Sequence, residues 1–220
     1  MTPRICASIL PKTIPEALRL IEKAEEAHAD FIEVRLDCLE NPRGLADLVA
    51  HGKAPKIATD MSSRTVTEQR QMLLNAAKKG FEYVDVELTN PELTDILKEL
   101  KAIGAKPIVS FHDFTKTLST SELNSILERE IASGASVCKI VTTAKRIEDN
   151  LAVLNFTSAA SAQAKLVCFC MGELGRVSRL LSPLFGGFFT FASLELGSET
   201  AAGQMTIQEM RAAYELLGLK

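Results

Sequence analysis

The chain has 220 residues, of which 46% are hydrophobic and 24% charged, and its formal net charge is −3 at pH 7. This composition argues against an intrinsically disordered chain and is sufficient to bury one sizeable core. Lysines and arginines are scattered along the chain, so we expect no nucleic-acid partner. The apolar run at 4–10 is too short for a signal peptide or a membrane span, which predicts a cytoplasmic protein with no membrane partner.

Short apolar runs that favour β-structure recur along the chain and predict eight strands. They lie at 4–10, 31–36, 56–60, 83–88, 107–112, 137–142, 166–171 and 187–192. Helix-period segments lie between most of them, at 14–29, 66–79, 91–103, 121–133 and 147–162, and a closing amphipathic helix covers 206–217. Helix starts are predicted at Pro91 and Thr120, and helix ends at Gly80, Gly104 and Gly134.

Eight strands that alternate with helices in a chain of this length predict a single (β/α)₈ TIM barrel spanning residues 1–220. The structural alternative is a doubly wound open sheet. Such a sheet usually carries a glycine-rich nucleotide turn after its first strand, and this sequence has none. In a barrel, active sites lie at the C-terminal ends of the strands, so polar residues of one parity at those ends belong to one candidate site.

Lys139 is the most informative residue, because it stands alone in the apolar run of the sixth predicted strand. Burial disfavours the charged form of a lysine, so we expect a lowered pKa and a neutral, nucleophilic amine. His112 ends the neighbouring fifth strand. A desolvated lysine beside a histidine indicates Schiff-base chemistry with an acid/base partner.

Charged residues on two further strands leave alternatives open. Glu33, Arg35 and Asp37 share one face of the second strand, either as an internal ion-pair ladder or as a hydrogen-bonding wall for a polyhydroxylated substrate. Asp85 and Glu87 share a face of the fourth strand. They either neutralise Arg35 or orient Lys139, or they are solvated charges at a strand end.

Two segments near the C-terminus are candidates for substrate capture. Arg179 follows two glycines and is suited to bind a carboxylate through two hydrogen bonds, whereas Arg176 is better explained as a surface residue. The small-residue loop 197–204 is either a mobile lid or a plain surface connection. The five cysteines have no spacing typical of a metal or redox motif, so we expect reduced core residues and no metal.

Six short motifs in order along the chain carry a resemblance to a known family. They are Glu33-Val34-Arg35-Leu36-Asp37, Ser110-Phe111-His112-Asp113-Phe114, Lys139-Ile140, the stretch from Met171-Gly172 to Ser178-Arg179, Thr190-Phe191-Ala192 and Ala202-Gly203-Gln204. On these motifs the chain resembles the type I 3-dehydroquinate dehydratases. The resemblance implies a (β/α)₈ barrel that dehydrates 3-dehydroquinate in aromatic amino-acid biosynthesis, without metal or cofactor, as a homodimer.

The resemblance also implies roles for individual residues. Lys139 matches the imine-forming lysine, His112 the general acid/base, and Arg179 the arginine that binds the substrate carboxylate. The implied substrate contacts beyond Arg179 are Ser8, Glu33, Arg35, Thr200 and Gln204, of which Gln204 belongs to the lid.

The sequence departs from the family pattern at two places. After the third strand, Met61 and Thr65 occupy positions where the family has an arginine and a glutamate, and we hypothesise that Arg64 replaces the missing substrate contact. In the lid, either Thr200 or Ser198 takes the place of the family's serine. Two rival functions are a class I aldolase, which more often carries a glycine-rich phosphate loop after strands 7 and 8, and a non-catalytic barrel that senses the same ligand.

Overall fold

The computed structural model describes residues 2–62 and 64–219, so Met1, Ser63 and Lys220 of the predicted domain lie outside it. Eight parallel strands form one sheet within these residues. They are β1 (Ile5–Ile9), β2 (Phe31–Arg35), β3 (Lys56–Thr59), β4 (Tyr83–Glu87), β5 (Lys106–His112), β6 (Val137–Thr143), β7 (Leu166–Met171) and β8 (Thr190–Ala192).

Helices alternate with the strands and cover the outside of the sheet. They are α1 (Ile14–Glu26), α2 (Leu45–Ala50), α3 (Val66–Lys78), α4 (Leu93–Ile103), α5 (Thr120–Ser133), α6 (Asp149–Ala160), α7 (Arg176–Leu181) and α8 (Ile207–Leu216). Short 3₁₀ turns follow β2 and β7 and precede β8, at Leu36–Cys38, Glu173–Gly175 and Ser182–Phe185.

The strand order is β7-β6-β5-β4-β3-β2-β1-β8, which is the order of a barrel opened between β7 and β8. A main-chain hydrogen bond from Phe188 N to Leu166 O, 2.7 Å long, crosses this seam just before β8 begins. The prediction of a (β/α)₈ barrel is confirmed. The predicted eighth strand at 187–192 is shortened to Thr190–Ala192.

The alternation of side chains along each strand creates two separate apolar layers. One lies between the sheet and the helices and includes Val34, Val109 and Ile140. The other fills the barrel interior with residues of the opposite parity, among them Ile108 and Val141. Since Lys139 and Ser110 belong to this second parity, their polar side chains lie inside the barrel, where burial forces them to find partners.

Hydrogen-bonded caps fix where several helices begin. Ser119 and Glu122 form a capping box at α5, so the predicted start at Thr120 is confirmed. Thr65 and Glu68 form the same box at α3. The predicted start at Pro91 is two residues early, because α4 begins at Leu93. The short helix α2 was not predicted.

Candidate active site

Seven of the residues singled out in the sequence line one cavity of about 100 Å³ at the C-terminal ends of the strands. They reach it from β2, β5, β6, α7 and the loop between β8 and α8. They are Glu33, Arg35, His112, Lys139, Arg179, Thr200 and Gln204. Two other predicted contacts, Ser8 and Arg64, do not line this cavity.

Lys139 reaches the cavity from β6, and only 6% of its surface is exposed. Its Nζ donates to Asp85 Oδ2 at 2.8 Å and lies 4.0 Å from Glu33 Oε1. The ammonium group also lies 4.6 Å from the centre of the Phe191 ring, close enough for a cation–π contact. Lys139 is therefore held by partners from three other strands.

These partners reverse the expected titration of Lys139. Burial lowers the pKa of this lysine, but the negative charges of Asp85 and Glu33 outweigh burial and raise the pKa above its ordinary value. The prediction of a lowered pKa and a neutral amine was wrong for the protein without ligand. Lys139 is an ammonium ion until a proton is removed from it.

Glu33 is fixed by two hydroxyl groups from the neighbouring strands. Ser8 on β1 donates to Glu33 Oε2, and Thr59 on β3 donates to Oε1 at 2.8 Å. Both hydroxyls donate to the carboxylate group and hold it in place beside Lys139. Ser8 thus contacts Glu33 in this structure and lies beneath the cavity.

His112 is oriented by Glu87 on the adjacent strand. The Nδ1 atom lies 2.8 Å from Glu87 Oε2, which leaves Nε2 as the ring nitrogen available for chemistry. Phe114 stacks against the imidazole, with ring centres 5.9 Å apart and planes inclined by 14°.

Of the alternatives for the fourth strand, orientation of Lys139 by Asp85 is the one that the contacts favour, and Arg35 is neutralised elsewhere.

Arg35 is neutralised by Asp37. Its Nε and Nη2 donate to the two carboxylate oxygens at 2.9 Å and 2.7 Å. Burial opposes ionisation of Asp37, but the hydrogen bonds from Arg35 outweigh it and lower the pKa of the carboxyl group. Asp37 lies in the 3₁₀ turn after β2, so the strand itself carries only Glu33 and Arg35 of the three residues predicted to share its face. The three form one ion pair at the cavity rim and one carboxylate, Glu33, near Lys139.

Arg179 is almost completely buried, with 1% of its surface exposed. Its guanidinium lies 4.3 Å from the centre of the Phe169 ring, and its Nε and Nη2 have no hydrogen-bond partner among residues 2–62 and 64–219. Burial lowers the pKa of Arg179 to about 10, so the side chain still carries its charge at neutral pH. Arg176 is different, because it is exposed and lies 3.4 Å from Glu173. A buried cation with free donors is suited to bind an anionic group of a ligand.

The loop after β8 covers the cavity and is held to the loop after β7. Gln204 Oε1 accepts from Thr200 N at 2.7 Å, and Gly172 N donates to Ala202 O at 3.0 Å. Ser198 bonds to Glu195 and does not line the cavity, whereas Thr200 does. The geometry favours Thr200 over Ser198 as the lid hydroxyl.

The departures after β3 have a local explanation. Arg64 Nη1 donates to Asp60 Oδ2 at 2.7 Å, which directs its guanidinium away from the cavity that Met61 lines. Thr65 accepts a hydrogen bond from the main chain of Glu68 as the N-cap of α3. The position that carries the family's glutamate is used here to begin a helix.

Two polar residues of the site were missed in the sequence. Ser110 donates to Asp85 Oδ1 at 2.5 Å, and Thr59 contacts Glu33. The signal was available for Ser110, because it precedes His112 by two residues and must share its face of β5. Within residues 2–62 and 64–219, no cluster of histidine, cysteine, aspartate or glutamate could hold a metal ion, and all five cysteines are free.

Comparison with known proteins decides the family. A model of the type I 3-dehydroquinase family matches residues 5–220. The chain belongs to this family.

Individual type I 3-dehydroquinases agree with this assignment over nearly the whole chain. A 3-dehydroquinate dehydratase of Dehalococcoides mccartyi is 37% identical over 220 residues, which cover 96% of this chain and 95% of that protein. One of Methanococcus maripaludis is 32% identical, with coverage of 97% and 99%. The crystal structure of the Geobacillus kaustophilus 3-dehydroquinate dehydratase matches with a TM-score of 0.89 at 26% identity, covering 98% of this chain and 91% of that one. The predicted family is confirmed, and the chain is an enzyme of the hydro-lyase class.

Proposed function

We propose that this protein converts 3-dehydroquinate to 3-dehydroshikimate and water through an imine on Lys139. The observation that carries this proposal is the convergence of a buried lysine, a histidine and an arginine with free donors on one cavity. A ring that bears a ketone, hydroxyl groups and a carboxylate has a chemically matched partner for each group in this cavity. The protein's place is then in aromatic amino-acid biosynthesis.

The polar residues of the cavity divide the substrate between them. Arg179 binds the carboxylate, since its guanidinium is charged, buried and free to donate. Glu33 and Arg35 contact the ring hydroxyls from β2. Thr200 and Gln204 close over the substrate from the loop after β8.

The reaction then proceeds on Lys139. The amine attacks the ring ketone, and the carbinolamine loses water to give a cationic imine, which withdraws electrons and acidifies the adjacent C–H bond. Nε2 of His112 removes that proton and returns one to the departing hydroxyl, because Glu87 holds the other ring nitrogen. Water finally hydrolyses the product imine and releases Lys139.

The decisive experiment is reduction of the imine. Sodium borohydride added together with 3-dehydroquinate should inactivate the enzyme and leave a mass adduct on the peptide that contains Lys139. An adduct on another lysine, or turnover that survives reduction, would contradict the assignment. The same assay separates the rivals, since an aldolase leaves 3-dehydroquinate unconverted and a sensor forms no adduct.

His112→Ala provides the matched variant for the acid/base assignment. It should be slowed roughly 10²- to 10⁴-fold, since one positioned proton transfer is lost, yet it should still form the reducible adduct because the nucleophile remains. A variant that keeps more than about a tenth of wild-type kcat would remove His112 from this role.

The proposal extends to the surroundings of the protein. In residues 2–62 and 64–219, the structure contains no helix with the length and hydropathy to cross a membrane, and we place the enzyme in the cytoplasm.

We also propose a homodimer. Ile147, Leu151, Leu174 and Val177 are exposed on neighbouring elements that Asn150 joins, and such an apolar patch is suited to contact a second copy.

A further inference from the structure

The charge of Lys139 creates a requirement that the acid/base histidine does not meet. The inference rests on the proposed imine chemistry, in which the amine of Lys139 must lose one proton before it can attack a ketone. That proton needs an acceptor within direct reach of Nζ. His112 is fixed through Nδ1 by Glu87, and Lys139 donates elsewhere.

Two carboxylates lie close to Nζ, and they differ in their other contacts. Glu33 is the more distant, at 4.0 Å, and both of its oxygens already accept hydrogen bonds from Ser8 and Thr59. Protonation of Glu33 would cost one of these bonds. Asp85 is in direct contact, at 2.8 Å, and is the better acceptor by position.

The second oxygen of Asp85 contacts a group that can accommodate either protonation state. Ser110 Oγ lies 2.5 Å from Asp85 Oδ1 and 3.3 Å from Glu87 Oε2. A hydroxyl has one hydrogen and two acceptor lone pairs. When Asp85 is ionised, Ser110 donates to it. When Asp85 takes up the proton on Oδ2, which faces Nζ, its Oδ1 is the carbonyl oxygen and still accepts from Ser110, so the same hydrogen bond holds both states.

We propose that Asp85 is the base that activates Lys139, and that Ser110 is the positioning residue that holds Asp85 in either protonation state. The proton moves from the ammonium nitrogen of Lys139 to Asp85, which leaves a neutral amine and a neutral carboxylic acid. The lone pair of the amine then forms the C–N bond to the ketone carbon, and the electron pair of the C=O bond moves to oxygen.

The proton is returned before the imine is complete. The nitrogen of the adduct gives one proton to the alkoxide oxygen, which becomes the carbinolamine hydroxyl. This hydroxyl takes up the proton held by Asp85 and leaves as water, so the ammonium and the ketone together become a cationic imine and one water molecule. Asp85 is ionised again at this point, and its negative charge lies beside the imine nitrogen that replaces the ammonium. No other reactant is needed for this sequence.

The test is the rate at which the imine forms, measured by mixing enzyme with 3-dehydroquinate and quenching with borohydride at increasing times. Asp85→Ala and Asp85→Asn should both form the Lys139 adduct about 100-fold more slowly than the wild type. Formate, which is the size of the deleted carboxyl group, should accelerate Asp85→Ala, because Asp85 also borders a second cavity of about 180 Å³. Asp85→Asn leaves no space for formate and should not respond.

Glu33→Ala is the matched control, because it also removes a buried carboxylate beside Lys139. Formate should not accelerate adduct formation in this variant. If Asp85 served only as a counter-charge, Asp85→Asn would lower the pKa of Lys139 and form the adduct as fast as the wild type or faster, and that result would overturn the proposal.

Failures of the two proposals are distinguishable. A wild-type enzyme that neither dehydrates 3-dehydroquinate nor forms an adduct overturns the proposed function itself. A wild type that does both, with Asp85→Asn unimpaired in adduct formation, overturns only the role of Asp85. Should Asp85→Ala fail to fold, the rate for Asp85→Asn decides between the two roles.

Discussion

Arg179 combines a functional gain with a structural cost. A buried guanidinium without hydrogen-bond partners destabilises the free protein, since its charge has been removed from water without compensation. Replacement by leucine should therefore raise the melting temperature of the free enzyme. The same change should raise KM for 3-dehydroquinate roughly 10- to 100-fold, because a charged hydrogen bond is lost.

Thermal unfolding and steady-state kinetics on one preparation of Arg179→Leu check both effects. Arg176→Leu is the control, since Arg176 is exposed and paired with Glu173, and it should change neither quantity much. An unchanged KM in the Arg179 variant would place the carboxylate site elsewhere.

Lys139 should also stabilise the folded protein, by an amount that depends on pH. Lys139→Met leaves Asp85 and Glu33 buried together without their cation, which should cost about 3–5 kcal/mol of unfolding free energy at neutral pH. Because acid discharges carboxylates, this penalty should be smaller at pH 5 than at pH 8.

Urea unfolding at pH 5 and pH 8 measures this difference for the wild type and for Lys139→Met. The double variant Lys139→Met/Asp85→Asn should recover part of the loss, because one buried charge is removed with the other. Equal stability of the single variant at both pH values would argue against the ion pairs as the source of the effect.

The location of Lys139 was predictable from sequence, but its charge was not. A lone lysine in an apolar strand indicates burial, and burial alone predicts a neutral amine. The opposing charges come from Glu33 and Asp85, which are 106 and 54 residues away in the chain, and only the closed barrel brings them together. Arg64 is a different case, because its partner Asp60 is close in the chain and the sequence did not indicate the direction of a loop side chain.

At the scale of an element, the loop after β8, which is the proposed lid, makes one close contact with the turn after β7. Gly203 has φ +73°, and a Cβ added to it would lie 2.1 Å from the carbonyl oxygen of Gly172. Gly203→Ala should keep the lid from seating and raise KM while leaving the melting temperature nearly unchanged. Gly197→Ala in the same loop has a similar φ of +85° but open space around the added carbon, so it controls for backbone strain alone.

Kinetics of the two alanine variants, measured together with their melting temperatures, make the comparison. Similar KM values for both would mean that strain, and not the contact with Gly172, is responsible for any effect.

The packing of α5 on the barrel contains a buried acid with no part in the proposed reaction. Burial, above all, raises the pKa of Glu130 to about 10. Its contribution to stability is fully present below the unfolded pKa, near 4, and is lost as pH rises towards the folded value, at about 1.4 kcal/mol per pH unit. Glu130→Met should therefore stabilise the protein more at pH 8 than at pH 5.

Chemical denaturation at the two pH values tests this, with the exposed Glu128→Met on the same helix as the control. A pH-independent gain from Glu130→Met would show that packing, and not ionisation, is the cause.

Most elements were predictable because each repeats its hydrophobic pattern several times. The helix α2 has only six residues, which is too few for the helical pattern to repeat. The start of α4 was misplaced because Pro91 lies in the turn before the helix. The capping sequence from Thr65 to Glu68 was readable and explains the departure from the family pattern at Thr65.

At the scale of the molecule, the proposed homodimer should depend on the exposed apolar patch on α6 and the turn after β7. Leu151→Glu places a charge in this patch and should convert a dimer to monomers in analytical ultracentrifugation. Leu216→Glu is the control, because Leu216 is 90% exposed on α8 and outside the patch. A sedimentation coefficient that Leu151→Glu leaves unchanged would mean that this surface is not the interface.

The barrel as a whole was predictable from the alternation of strands and helices, since few other folds accommodate eight such repeats in 220 residues. The seam between β7 and β8 was not predictable. Within the described residues β8 pairs with β1 and not with β7, and pairing between strands cannot be read from the sequence of one strand.

Because of that seam, a bound substrate should hold the two edges of the sheet together. Lys139 and His112 lie on strands before the seam, Arg179 lies on the connection between β7 and β8, and Thr200 and Gln204 follow β8. A ligand joined covalently to Lys139 and bound by Arg179 acts as a staple between the two edges. Amide hydrogens of β8 and the lid should then exchange with solvent more slowly in the borohydride-reduced adduct than in the free enzyme, while those of β3 and β4 keep their rates.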